Sequence, residues 1–181
     1  MEETAVHSHP QSGKNFLSQI QKITEEGRKK RKDARRKARA KLLRSFYREC
    51  RQTVAHEVEL IERRITRYAQ DGKNVYFRPF SIHHKKLYEN RSSIDSVPHL
   101  LLSKNKARKE KVISNYLDLD FIDSRYAYLM NKRVYYEIAL HFLNKNLSVY
   151  DGTAEIYLDP DYARSHNYKL NVEIHLLVIR W

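Results

Sequence analysis

The residues able to do chemistry in this chain are scattered, and few stand at the spacings chemistry requires. His83 and His84 are an obvious start for a metal site, but adjacent ligands need partners from elsewhere in the chain to close a zinc shell. Asp118, Asp120 and Asp123 form a carboxylate cluster of the kind that holds magnesium for phosphodiester chemistry. A loop running into a helix capped by Asp123 accounts for them more simply. Asp151 and Glu155 invite comparison with nucleases that carry an acid and then acid-x-lysine on a strand. Two positions after Glu155 stands Tyr157, so the cation that chemistry needs is missing. Cys50 and His56 lie six residues apart on a predicted helix and do not face one another, which excludes a thiol-imidazole pair. The chain has four glycines and no phosphate-cradling loop, which argues against nucleotide hydrolysis. No catalytic residue, metal or cofactor is expected, and the chain reads as a non-enzyme.

Binding chemistry is better represented. Arg28, Lys29, Lys30, Arg31 and Lys32 are consecutive, and Arg35, Arg36, Lys37, Arg39, Lys41 and Arg44 follow. Residues 28 to 51 hold thirteen bases and two acids, so +11 of the chain's net +13 sits in one place. Five consecutive bases surround a helix axis, and Asp33 is the only acid before Glu49, so a solvated helix face leaves their repulsion without remedy. A polyanion would supply it. Lys and Arg give charge-assisted hydrogen bonds to phosphate without reading bases, so the expected partner is DNA or RNA, bound with little sequence preference. About six to eight phosphate contacts imply an affinity that falls by roughly three to four decades from low to high salt.

Other uses of the run are separable. Lys29 to Lys32 also fits a nuclear-import signal in a eukaryotic host. Attraction to an anionic membrane needs bulky apolar neighbours, and Ala34, Ala38 and Ala40 are too small. The resemblance to the basic region of a zipper-type transcription factor is superficial, because the following apolar row steps by about 3.7 residues rather than 3.5 and carries no leucine heptad. Lys104, Lys106, Arg108, Lys109 and Lys111 form a second, supporting basic set, and "HHKK" at 83–86 adds two more bases. Tyr126, Tyr128, Tyr135 and Tyr136 share a helix with Leu and Ile, which predicts packing rather than base stacking. In "NVYFRPF" a strand could offer rings beside the Arg78 guanidinium.

The elements that must position these residues are legible in part. Residues 1–11 lack periodicity and contain Pro10, which predicts a flexible tail, followed by a basic helical extension over 12–41 and a domain over 42–181. Phe16, Ile20 and Ile23 make a short apolar stripe that ends where Gly27 interrupts the helix, and that stripe suits a protein partner. Leu42, Phe46, Cys50, Val54, Val58, Ile61, Ile65 and Tyr68 mark one helical face. With Asp71-Gly72 as its stop, this helix is expected over about residues 28–70, with opposite charges at helical spacing in Glu59 and Arg63 and with Glu57 and Arg64 nearby.

Residues 74–80 predict a strand whose Pro79 belongs at a sheet edge. The stretch 81–103 gives no clear element. Helices are expected over 104–118 and 123–145, the latter with Tyr126, Leu129, Met130, Val134, Ile138 and Phe142 on its apolar face. Alternation over 154–158 and 168–178 predicts two strands, joined through a helical turn with Asp159 as cap and Pro160 at its first position. The fold class is therefore α+β: a long basic N-terminal helix projecting from a small antiparallel sheet of about three strands packed with helices.

The single cysteine excludes an internal disulfide framework, and neither a secretory leader nor a membrane-spanning run is visible. An intracellular protein is expected, nuclear in a eukaryotic host and otherwise in the cytoplasm or a nucleoprotein particle. The rival expectation is a structural or assembly component of a larger particle, acting through protein contacts at Phe16, Ile20 and Ile23.

Overall fold

The computed structural model describes residues 11–96, 100–113 and 122–181. The predicted tail, apart from Gln11, lies outside them, as do Asp118 and Asp120. The chain divides into two units, Met1–Ser45 and Phe46–Trp181.

The first unit is helical wherever it is described, as the N-terminal part of α1 (Gln11–Gln70). Gly27 does not interrupt this helix, contrary to the sequence expectation. One glycine costs only about 1 kcal/mol of propensity, and Glu25, Glu26, Arg28 and Lys29 around it are strong helix formers. A methyl group at position 27 would meet nothing within 4 Å.

The second unit begins with the remainder of α1. Gly72, at φ +73°, ends the helix: its N–H donates to the Ala69 carbonyl and that of Lys73 to the Tyr68 carbonyl, at 3.0 and 2.8 Å. This is a Schellman stop, and glycine takes that φ without the Cβ clash other residues meet there. The expected apolar row holds from Phe46 onward, with Phe46, Cys50, Val58 and Ile61 buried. Leu42 departs from it, belonging to the first unit and standing 37 % exposed.

After α1 come β1 (Val75–Pro79), α2 (Ile82–Glu89), β2 (Arg91–Ser96), β3 (Leu100–Leu101), α3 (Lys104–Ile113), α4 (Ile122–Asn144), β4 (Ser148–Leu158), α5 (Pro160–Ser165) and β5 (Asn171–Arg180). The fold is α+β, with five strands among the described residues rather than the expected three or so. Their order is β1-β5-β4-β2, with β3 also on β4, and every pairing is antiparallel. Pro79 does lie on an edge strand. The additional strands are β2 and β3, taken from the stretch that gave no sequence signal; they pair with the long β4, a partner some 50 to 70 residues away.

Both faces of the sheet are covered. Leu177 and Ile179 of β5 pack with Val149, with Ile61 of α1 and with Ile138 and Phe142 of α4. Ile174, Leu176 and Val178 pack on the other side with Ile156, Leu87 of α2 and Ala163 of α5. Four consecutive buried residues, Leu176 to Ile179, follow from this sandwich, so the strand continues past the alternating pattern that suggested an end at 178. At its other end, Tyr168 and Leu170 belong to the turn after α5, not to the strand. Asp159 caps α5 as expected, accepting from the N–H groups of Asp161 and Tyr162 at 3.0 and 3.1 Å.

Candidate nucleic-acid interface

Eleven bases from Arg28 to Arg44 lie on α1 within the first unit, and the side chains of all eleven are exposed. Among the described residues none of them is recorded in an ion pair. At about 100° per residue, Arg28, Lys32, Arg35 and Arg39 align in one row and Lys30, Lys37, Lys41 and Arg44 in a second on the opposite side. Lys29, Arg31 and Arg36 fill the flanks. Each row is a line of positive charge about 16 to 21 Å long. A row of this length can follow several consecutive phosphates while its stems stay solvated.

The apolar stripe lies in the same unit. Phe16, Leu17, Ile20 and Ile23 are 64, 62, 45 and 65 % exposed, so no described residue covers them.

The supporting set is in the second unit. Ser103 caps α3, its hydroxyl accepting from the Lys106 N–H at 3.1 Å, and the buried Ala107 turns the helix so that Lys104, Lys106, Arg108 and Lys109 face solvent. Lys111 is engaged differently: its ammonium pairs with Glu137 of α4 at 2.9 Å. Lys132 and Glu110 link the same two helices at 3.5 Å.

The chemically suggestive residues fall into three places. Cys50 is buried with its thiol 3.0 Å from the Met130 sulfur, and burial pushes its pKa up to about 11. A thiol so placed stays protonated and is a packing residue. His83 and His84 stay in ring contact, centroids 6.2 Å apart; His83 also lies against Tyr168, and His84 stacks with His175 at 6.4 Å. Among the described residues no three His, Cys, Asp or Glu side chains are grouped to hold a metal ion.

His84, His175, Tyr135 and Asp151 line a cavity of about 510 Å³. The Tyr135 hydroxyl donates to Asp151 at 2.6 Å, and burial, with that carboxylate beside it, holds the phenol far above its ordinary pKa. His84 is held below its usual value by burial and by the neighbouring His175 and His83, and its buried Nδ1 has no hydrogen-bond partner among the described residues. Ser81, which also lines this cavity, caps α2, its hydroxyl accepting from the His84 N–H at 3.2 Å.

The predicted pairing of Glu59 with Arg63 is present. That of Glu57 with Arg64 is not. Glu57 pairs with Arg78 at 3.2 Å, and Arg64 instead donates to the Tyr76 hydroxyl at 3.2 Å. Arg78 also donates to the Pro79 carbonyl, so the guanidinium expected to stand free beside the rings of β1 is committed within the fold. Sequence reasoning missed Arg64, Lys85 and Arg91, which converge on one cleft from α1, α2 and β2. Their only sequence signal was "HHKK", which covers Lys85 alone.

Among the described residues no helix is long and apolar enough to cross a membrane. The chain matches no protein-family model, no curated protein and no solved structure at a significant level.

Proposed function

We propose that this protein is a non-catalytic nucleic-acid binder that grips phosphate backbone through the basic run of α1 with little sequence preference. One observation carries the reading: eleven exposed bases between Arg28 and Arg44, opposed by the single acid Asp33, on an uninterrupted helix. Such a helix is stabilised when phosphates take the place of condensed small ions, and the released counterions drive association. Lys104, Lys106, Arg108 and Lys109 extend the anionic footprint as a second contact, with Lys111 contributing less because Glu137 already neutralises it.

Fluorescence-anisotropy titration of the intact chain and of a chain beginning at Leu42 tests this, against duplex DNA, duplex RNA and a single strand over a salt series. Tight, salt-steep binding by the intact chain that is lost on truncation supports the reading. A flat salt dependence removes it.

A second reading, an assembly component of a larger particle, is favoured by the exposed stripe of Phe16, Leu17, Ile20 and Ile23. Solubilising that stripe with Ile20→Lys and Ile23→Lys would abolish a protein complex but leave phosphate binding intact.

A further inference from the structure

We propose that the cleft in the second unit lined by α1, β1, α2 and the start of β2 accepts one unpaired nucleotide, its base on the Arg91–Tyr88 stack and its phosphate between Arg64 and Lys85. The inference deepens the nucleic-acid reading above and rests on it for the source of the nucleotide.

The cavity measures about 360 Å³, within the ~300–1,000 Å³ range of small-ligand sites. Four cations line it, Arg64, Arg78, Lys85 and Arg91, against two acids, Glu57 and Glu89. Arg78 and Glu57 satisfy each other. Arg64, Lys85 and Arg91 are left, and none of the three is recorded with a carboxylate among the described residues. Glu89 is the one acid left among the lining residues against these three cations, so the cleft keeps a positive excess, and an anion is the ligand that complements it.

The aromatic half of the site is equally specific. The Arg91 guanidinium lies over the Tyr88 ring, 3.8 Å from its centroid, and donates to the Tyr88 carbonyl. A guanidinium over a ring in this way leaves a planar cationic group on which a base can stack. Tyr68 and Tyr76, packed edge to face with centroids 5.8 Å apart, form the inner wall. Burial raises the Tyr76 phenol above its ordinary pKa, so it remains protonated. Because its oxygen accepts from Arg64, its own proton is free to donate toward a phosphate oxygen. Neither a duplex nor a simple phosphate uses both halves. A nucleotide with an unstacked base does.

The test uses the full chain with a uridine 12-mer, a duplex of the same length, and free uridine and adenosine monophosphates. The cleft variant combines Lys85→Gln with Arg91→Gln, both outside the core. Arg64→Gln serves as an independent second variant, and the helix variant combines Arg28→Gln, Lys32→Gln, Arg35→Gln and Arg39→Gln. The cleft variant is expected to weaken single-strand binding by at least about tenfold while leaving duplex binding within about twofold. The helix variant weakens both.

Monophosphate binding that is lost in the cleft variants identifies a free nucleotide as ligand. Single-strand loss without monophosphate binding identifies a nucleotide within a strand. If neither cleft variant moves single-strand or monophosphate affinity, or the intact chain binds neither probe, the proposal is overturned. Failure of the helix reading appears separately, as duplex binding unmoved both by the helix variant and by the matching variant of the opposite row, Lys30→Gln, Lys37→Gln, Lys41→Gln and Arg44→Gln.

Discussion

The two opposite basic rows of α1 allow the binding mode to be measured with charge held constant. Two quadruple variants each remove four positive charges: Arg28, Lys32, Arg35 and Arg39 to Gln in one, and Lys30, Lys37, Lys41 and Arg44 to Gln in the other. Glutamine keeps the length and helix propensity of the side chains, and all eight sites are exposed, so the helix is retained. If α1 lies on a duplex by one face, four lost phosphate contacts reduce the slope of log affinity against log salt by about 3.6. Between about 50 and 200 mM salt that is a difference of about two decades in affinity loss. The opposite row, facing solvent, changes the slope by less than about 1. The assay is anisotropy with a 20-base-pair duplex over at least about four salt concentrations, with circular dichroism to confirm helicity. Equal, intermediate changes from both rows would indicate a helix embedded in nucleic acid on all sides. Slopes unmoved by either variant would refute phosphate binding by α1 altogether.

Three further outcomes test other parts of the account. Gly27→Ala should raise local helix stability by about 0.5–1 kcal/mol, seen as slower amide exchange over residues 20–35, because the added methyl meets nothing and the helix is already continuous. Faster exchange there would show that position 27 is not helical in solution. Tyr135→Phe leaves the Asp151 carboxylate without its 2.6 Å donor and should lower unfolding free energy by about 1–3 kcal/mol in urea titration; an unchanged midpoint contradicts that bond.

The histidine pair predicts acid sensitivity. His84 has its pKa depressed below 6.5 in the fold, so the unfolded chain takes up its proton first as pH falls. Its contribution is complete above pH 6.5 and is lost as pH drops toward the folded value. Glu62, depressed below 4.5 by hydrogen bonds from Lys145 and His141, acts in the same sense at lower pH. Thermal melts at about pH 7.5 and about pH 5.5 should show a lower Tm in acid, and a smaller drop in His84→Gln. A drop unaltered by that substitution assigns the acid sensitivity elsewhere.

What could be read from the sequence was local and periodic. The row from Phe46 to Tyr68 announced its helix because burial repeats with the turn of the helix, and Asp71-Gly72 announced its end because one φ suits glycine. Asp159-Pro160 marked α5 by cap chemistry, and the absence of an N–H on Pro79 sent β1 to an edge. The position of the charge was likewise present in the residue order alone.

Tertiary structure decided what depends on distant partners. β2 and β3 are strands because β4 offers them backbone hydrogen bonds, which no pattern within 81–103 encodes. Leu176 to Ile179 are all buried because helices cover both faces of the sheet, where a one-sided sheet would have imposed alternation. Glu57 chose Arg78 over the neighbouring Arg64 because β1 brings that guanidinium alongside the helix, and Arg64 was thereby left facing the cleft. Sequence spacing determines which groups can share a helix face. Only the tertiary fold determined that Arg78 kept a carboxylate and that Arg64, Lys85 and Arg91 were gathered in one cleft without one paired to them among the described residues.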